Sequence, residues 1–212
     1  MHPSTWSVRG LYLITPEQTD TARLLRQVAQ VLPCAPALLQ YRSKLADPDT
    51  RREQANALLS LCRAAGVALV INDDVELAAA LGADGVHLGR EDGGIRHARE
   101  RLPAGAIIGA SCYDRIDLAR EAATAGASYV AFGAFEASPT KPHAPRASPS
   151  LLAQSAPLGL PRVAIGGIRP ENAPALVAAG ADLIAVISGV FDSADPLQAA
   201  RAYQSAFQEP PA

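Results

Sequence analysis

Residues 179–184, AGADLI, decide the fold, because the same arrangement occurs twice earlier in the chain. LGADGV at 81–86 and AGASYV at 125–130 also place a glycine after an alanine-rich or leucine-rich stretch, with an apolar run directly behind it. Glycine can adopt the left-handed conformation that ends a helix. Three copies of helix, glycine and strand therefore indicate a chain built from repeated β/α units.

Eight short apolar runs have the length and composition of buried strands. They are continuous rather than alternating, which is typical of parallel strands covered on both faces. The predicted strands are residues 10–15, 37–42, 68–73, 85–89, 107–112, 129–135, 162–167 and 183–189. Helical spacing of alanine and leucine is clearest between them at residues 20–32, 48–66, 115–126, 170–180 and 195–207.

Eight β/α units in 212 residues predict an α/β protein whose strands close into a (β/α)8 TIM barrel of compact size. We expect one domain over residues 1–212 with short flexible ends. A doubly wound open sheet is the alternative, but no Gly-x-Gly-x-x-Gly fingerprint follows the first predicted strand.

The overall composition excludes several classes of partner. A net charge of -2 gives no support for a general nucleic-acid or membrane surface, and no apolar run approaches the ~18 residues of a spanning helix. The three cysteines have no metal-site spacing and fit a reduced, cytoplasmic setting. We therefore expect small-molecule partners, no nucleic acid and no membrane, and a homo-oligomer is left open.

Polar residues gather where the second, third and fourth predicted strands end, the edge at which barrels carry their chemistry. Gln40, Arg42 and Lys44 share a parity and are predicted to project to one side. Asp73 and Asp92 end the neighbouring strands. These charges could form structural ion pairs; alternatively, the carboxylates hold Mg²⁺ while the cations hold a polyphosphate.

A second anion site is predicted after strands 7 and 8, where barrels often bind phosphate through backbone N–H groups. Gly166 and Gly167 allow close backbone approach, and Ser188 follows the next strand. Ser138, Thr140 and the adjacent Lys141 follow strand 6 near this corner, in a segment that prolines stiffen. The alternatives are an ordinary tight turn for the two glycines and a surface turn for the strand 6 segment.

Two further polar residues have structural interpretations. His87 lies within the fourth strand and is predicted to be a packed or hydrogen-bonded core residue rather than a catalyst. Asp74 is placed to cap the helix that follows it.

The chain resembles the thiamine phosphate synthase (thiamine-phosphate pyrophosphorylase) family over nearly its whole length. Each shared motif is weak alone, and their occurrence in one order makes the resemblance specific. The motifs are LQYRSK, INDD, GADGVHLGRED, GAS, YVAFGAFEASPTK, VAIGGI and GADLIAVISGVF.

The resemblance implies that 4-amino-2-methyl-5-hydroxymethylpyrimidine diphosphate loses pyrophosphate and is captured by 4-methyl-5-(2-phosphoethyl)thiazole, or its carboxylated form, giving thiamine phosphate. It implies Mg²⁺ held by Asp73 and Asp92. The substrate-binding residues it implies are Gln40, Tyr41, Arg42, Ser43, Lys44, Asn72, Ser111, Ser138, Pro139, Thr140, Lys141, Gly167, Ile187 and Ser188. Of these, the residues implied to take part in catalysis are Arg42, Lys44, Ser111 and Lys141.

Departures from the family pattern bear on the alternatives. The thiazole tautomerases look similar but use a histidine at the position of Tyr113, so an isomerase is disfavoured. A non-catalytic phosphate-binding barrel would keep the glycine loops but could lose Arg42, Lys44, Asp73 or Lys141 freely. Glu136 and Arg90 also differ from the usual family residues without removing an implied ligand.

Overall fold

Eight parallel strands form a closed barrel in the computed structural model, which describes residues 8–90, 92, 94–136 and 146–208. Each strand pairs with its neighbours in chain order, and β8 pairs back with β1. The strands are β1 Gly10–Ile14, β2 Leu38–Tyr41, β3 Leu69–Asn72, β4 Gly85–Leu88, β5 Ile107–Tyr113, β6 Tyr129–Phe132, β7 Arg162–Ile165 and β8 Leu183–Val186. The predicted TIM barrel is confirmed, whereas the predicted flexible ends lie largely outside the described residues.

Helices follow the strands and cover the outside of the barrel. They are α1 Thr21–Val31, α2 Pro48–Ala65, α3 Val75–Leu81, α4 Ile95–Arg101, α5 Ile116–Ala125, α6 Ser150–Gln154, α7 Ala173–Ala178, α8 Ser188–Phe191 and α9 Pro196–Gln204. The short α8 comes directly after β8 and was not expected as a separate element. The predicted helix over 170–180 begins later, at Ala173, because turn residues precede it.

The three repeats that suggest the fold also fix the strands. Gly82 and Gly126 end α3 and α5 with φ values of 63° and 96°. Two residues after each repeat's glycine, a polar side chain accepts a hydrogen bond from the backbone N–H at or near the start of the preceding strand. These bonds join Asp84 Oδ2 to Leu69 N (2.8 Å), Ser128 Oγ to Ile108 N (3.0 Å) and Asp182 Oδ2 to Arg162 N (2.9 Å). The repeat thus ends one helix and ties the next strand to the previous one.

Side chains of alternate strand residues point to opposite sides of the barrel wall and pack in two separate regions. The hydroxyls of Tyr12 on β1 and Tyr129 on β6 meet at 2.7 Å although these strands are not neighbours, so this set of side chains faces the barrel interior. Leu38, Val70 and Leu183 pack with them. Strand side chains of the opposite parity pack beneath the helices and form part of the larger apolar core. Across the described residues, no helix combines the length and apolar composition needed to cross a bilayer.

Candidate active site

A cavity of about 730 Å³ opens at the carboxyl ends of β2, β3 and β4. It is lined by the last residue of β3, by residues of the loops after these strands and by residues near the starts of the helices beyond. The lining residues are Ser43, Lys44, Ala46, Arg51, Asn72, Asp73, Asp74, Val75, Glu76, Asp92 and His97. Five predicted site residues therefore share one cavity: Ser43, Lys44, Asn72, Asp73 and Asp92.

The two predicted metal ligands are held in place by local backbone bonds. Asp73 has a left-handed φ of 64°, and its N–H donates to the His87 carbonyl at 2.8 Å. Asn72 Nδ2 donates to Asp73 Oδ2 at 2.6 Å. Asp92 Oδ2 accepts from the Gly89 N–H at 2.8 Å. Both carboxylates are thereby fixed beside each other at the cavity wall.

The proximity of these carboxylates disfavours two negative charges. Burial, and then the neighbouring Asp92 carboxyl, raise the pKa of Asp73 to about 6, against a smaller lowering by Lys44. A cation bound between the two groups would remove that repulsion. In contrast, Asp74 Oδ1 accepts from the Leu77 N–H at 2.8 Å, which confirms its predicted role as the cap of α3.

The chemistry of this pair fits Mg²⁺. Among the residues that the structure describes, no group of three or more His, Cys, Asp or Glu side chains could hold a metal ion. Mg²⁺ needs no such group, because it commonly takes one or two protein carboxylates and completes its octahedron with water and substrate phosphate oxygens. Asp73 and Asp92 would supply the protein ligands.

The loop after β2 is organised by Glu17, a residue that no sequence motif singles out. Glu17 Oε1 accepts from the Lys44 and Leu45 N–H groups at 2.8 Å and from Ser43 Oγ at 3.0 Å. Burial alone would raise the pKa of Glu17, but these donors and the Arg42 charge outweigh it and keep the pKa below its ordinary value. The carboxylate therefore sets the direction in which this loop leaves the barrel.

Arg42 lies beside Glu17 rather than in the wall of the cavity. Its Nη1 is 3.9 Å from Glu17 Oε2. Its backbone exchanges hydrogen bonds with the buried Thr15 hydroxyl at 2.9 and 3.1 Å. The shared parity predicts that strand alternation extends from Gln40 to Arg42 and Lys44. It does not, because β2 ends at Tyr41.

Arg51 is a cation of the cavity that sequence reasoning missed. It lies in the first turn of α2, and its Nε is buried with no hydrogen-bond partner among the described residues. No described carboxylate lies within 4.0 Å of its guanidinium, whereas Glu76 in the same wall pairs with Arg101. The adjacent Arg52 is exposed, and only the packing of α2 distinguishes the two arginines.

Gln40 and Ser111 lie in the barrel interior at the two ends of one hydrogen-bonded chain. Gln40 Nε2 donates to Tyr12 Oη at 2.6 Å, and Tyr12 Oη lies 2.7 Å from Tyr129 Oη. His87 Nδ1 lies 2.9 Å from Tyr129 Oη, and its Nε2 lies 2.9 Å from Ser111 Oγ. His87 is therefore a hydrogen-bonded interior residue, as predicted, and burial lowers its pKa to about 4, against a smaller raising by Asp92.

Tyr41 has the opposite parity and faces the helices. It is 2% exposed, and its hydroxyl donates to Gln54 Oε1 at 2.8 Å. Its side chain is directed away from the interior that Gln40 faces, so only its backbone lies toward the rim.

The predicted phosphate corner is a separate part of the same rim. Gly166 and Gly167 have φ values of 99° and 67°. A Cβ at Gly167 would lie 2.6 Å from Glu136 Cβ, so the backbones of these two loops approach closely. Ile187 precedes α8, and the exposed residue Ser188 begins it, where the first backbone N–H groups of a helix have no acceptor within the helix. None of these residues lines the 730 Å³ cavity.

Four further predicted residues follow β6. Ser138, Pro139, Thr140 and Lys141 lie outside the described residues. Tyr113, which stands where thiazole tautomerases have a histidine, is 49% exposed at the end of β5.

Comparison with known proteins agrees with this arrangement. The family model of thiamine monophosphate synthase matches residues 11–190. Thiamine-phosphate synthase of Xanthomonas campestris pv. campestris (strain 8004) is 56% identical over 98% of this chain and 100% of its own length. That of Azoarcus sp. (strain BH72) is 59% identical over 94% of this chain and 98% of its own.

A solved structure gives the same result at the level of the fold. Thiamine phosphate pyrophosphorylase from Pyrococcus furiosus superposes with a TM-score of 0.82 at 32% identity, covering 94% of this chain and 96% of that one. With the family model spanning most of the barrel, the chain belongs to the thiamine monophosphate synthase family.

Proposed function

We propose that this protein transfers the pyrimidine methylene of 4-amino-2-methyl-5-hydroxymethylpyrimidine diphosphate to the ring nitrogen of 4-methyl-5-(2-phosphoethyl)thiazole, releasing pyrophosphate. The product is thiamine phosphate, which makes the protein a transferase of thiamine biosynthesis. The observation that carries the proposal is the cavity in which Lys44 and Arg51 face Asp73 and Asp92. Cations and a carboxylate pair together suit a metal-bound diphosphate.

The charged rim supports departure of the diphosphate. As the C–O bond breaks, positive charge develops on the pyrimidine methylene and is delocalised by the ring's amino group, while negative charge builds on the leaving pyrophosphate. Lys44 and Arg51 would stabilise that negative charge from fixed positions, which is electrostatic catalysis. Mg²⁺ held by Asp73 and Asp92 would supply Lewis-acid neutralisation of the same oxygens.

The thiazole substrate is assigned to the corner formed by β7 and β8. Its phosphate keeps the same charge throughout the reaction, so this corner needs only to hold and orient it. Gly167 and Ser188 are exposed residues, and their backbone N–H groups suit that task. The thiazole nitrogen would then approach the pyrimidine across the mouth of the barrel. No nucleophile from the protein is required.

The test is to incubate the purified protein with both substrates, with Mg²⁺ and with a chelator. We expect thiamine phosphate and pyrophosphate in equal amounts with Mg²⁺, and little of either with the chelator. Turnover of the thiazole phosphate alone without metal would instead support a tautomerase-like isomerase. Binding without turnover would support a phosphate-binding barrel. A cytoplasmic location and a homo-oligomeric state stay predictions.

A further inference from the structure

Five strands contribute one polar side chain each to a continuous chain of hydrogen bonds through the barrel interior. Gln40 comes from β2, Tyr12 from β1, Tyr129 from β6, His87 from β4 and Ser111 from β5. The four links measure 2.6, 2.7, 2.9 and 2.9 Å. Tyr12, Gln40 and His87 are buried, and the His87 and Tyr129 rings stack at 5.6 Å. A polar chain at this depth is costly unless each member is satisfied, which constrains its arrangement.

The first link fixes the direction of hydrogen bonding at Tyr12. Gln40 Nε2 can only donate, so Tyr12 Oη accepts from it. Tyr12 is 1% exposed, and its remaining neighbour in the chain is the Tyr129 oxygen. The Tyr12 hydroxyl therefore donates its hydrogen bond to Tyr129 Oη. A Gln40 amide turned the other way would reverse every link of the chain, and His87 would then carry its proton on Nδ1.

The same link determines what Gln40 presents to the mouth. With Nε2 committed to Tyr12, Oε1 is directed elsewhere. It accepts no hydrogen bond from a described residue, yet it is not among the enclosed polar atoms that lack a partner. The side chain therefore offers a carbonyl acceptor at the bottom of the mouth.

We propose that Tyr12, Tyr129 and His87 are positioning residues that keep this chain in a single polarity, so that Gln40 presents an acceptor and Ser111 a donor to the reacting pyrimidine diphosphate. In this polarity the Tyr129 hydroxyl donates a hydrogen bond to His87 Nδ1, and His87 Nε2–H donates to Ser111 Oγ. The Ser111 hydrogen is left to point toward the ligand. This inference rests on the proposed function.

The two ends of the chain match the charge separation of that reaction. The pyrimidine amino group becomes a stronger N–H donor as it takes up positive charge, and an acceptor at Gln40 stabilises it. The leaving diphosphate becomes a stronger acceptor, and a donor at Ser111 stabilises it. Both contacts are stronger in the transition state than in the ground state, so they raise kcat rather than only lowering KM. Hydrogen bonds in series also polarise one another, which couples the two ends.

Kinetics of Tyr12→Phe test the inference. The variant removes the hydroxyl that holds Gln40 while keeping the ring, and we expect kcat to fall about 10- to 100-fold. The KM for thiazole phosphate should not change. An unchanged kcat, or an equal loss in thiazole phosphate binding, would overturn the proposal.

A double-mutant cycle separates positioning from general packing. If Tyr12 acts through Gln40, Tyr12→Phe should cost little further activity in a Gln40→Met background. Tyr203→Phe is the matched control, because it removes an equally buried hydroxyl that donates to the Ile168 carbonyl instead. Its effect should add fully to that of Gln40→Met. Full additivity of Tyr12→Phe as well would overturn the positioning role.

Nitrogen-15 NMR of the wild-type protein gives a readout that needs neither activity nor a folded variant. At pH 8 the His87 ring should carry its proton on Nε2, and a Gln40 side-chain amide proton should show the shift of a strong hydrogen bond. A proton on Nδ1 would overturn the proposed polarity. If these signals are found but the protein makes no thiamine phosphate, the proposed function is wrong, whereas the proposed polarity of the hydrogen-bonded chain is upheld.

Discussion

The rim after β2–β4 and the rim after β7–β8 differ in how they would bind an anion. The first uses charged side chains, with Lys44 and Arg51 facing Asp73 across a cavity. The second uses glycines with positive φ and the exposed start of α8. The difference follows the chemistry of the two proposed ligands. Side-chain charges and a metal serve the diphosphate, whose charge changes, while backbone dipoles serve a phosphate that does not react.

The largest expected effect is at the carboxylate pair. Asp73→Asn should lower kcat by about 10²- to 10³-fold, because it weakens stabilisation of charge on the leaving group. Thiazole phosphate binding should be unaffected. Asp74→Asn is the matched control, since asparagine caps a helix about as well as aspartate. Steady-state kinetics at saturating Mg²⁺ would measure both variants, and equal losses would break the distinction between the two acids.

The buried His87 should make the stability of the protein depend on pH. His87 is buried with a pKa of about 4, below its ordinary value of 6.5. Its contribution to stability is therefore present above pH 6.5 and is lost as the pH falls toward 4, where the unfolded chain takes up the proton first. Between pH 8 and pH 4, the stability advantage of wild type over His87→Asn should shrink by about 3 kcal/mol.

Urea unfolding at the two pH values would measure this change. His97→Asn, which alters an exposed histidine, is the control for loss of an imidazole in the same assay. A constant difference between wild type and His87→Asn would mean that the buried ring does not titrate as its environment requires.

The rim after β7–β8 can be tested by adding one methyl group at Gly167. Gly167→Ala forces a side chain onto a residue with φ 67° and brings its Cβ to 2.6 Å from Glu136 Cβ. Strain of about 1–3 kcal/mol should displace the loop and raise the KM for thiazole phosphate roughly tenfold, with pyrophosphate binding preserved. Gly159→Ala is matched in φ, at 68°, but has nothing within 4 Å and lies away from the rim. Similar kinetics for both variants would argue against a phosphate at this corner.

A smaller effect is expected at Arg51. Arg51→Gln should raise the KM for the pyrimidine diphosphate several-fold, up to about tenfold, because one hydrogen bond to a charged group contributes about 1.5–3 kcal/mol before solvent screening reduces it. Arg52→Gln lies next to it but is exposed outside this cavity, and it should behave as wild type. Equal values for the two variants would remove Arg51 from the site.

Much of the fold was predictable because it depends on local, repeated patterns. The Gly-Ala-Asp/Ser repeat ends helices and ties strands within one β/α unit, so each copy can be recognised in the sequence. The positions of Asp73 and Asp92 at the cavity wall were also predictable, since Asp73 directly follows β3 and Asp92 lies in the loop after β4, and the ends of these strands must meet.

The rest depends on packing between distant segments. Glu17 and Arg51 look like ordinary surface charges until the β2 loop and α2 are placed beside the cavity. Tyr12 and Tyr129 fit an apolar strand pattern, and only barrel closure brings their hydroxyls together from residues 117 positions apart. Strand parity correctly places Gln40 in the interior but does not extend to Arg42, because β2 ends between them.

Calorimetric titration with inorganic pyrophosphate tests the division between the two rims most directly. Wild type and Gly167→Ala should bind pyrophosphate tightly with Mg²⁺ and weakly without it, and Asp73→Asn should lose the effect of the metal. The same affinity with and without Mg²⁺ in all three proteins would contradict a metal-assisted diphosphate site at the ends of β2–β4.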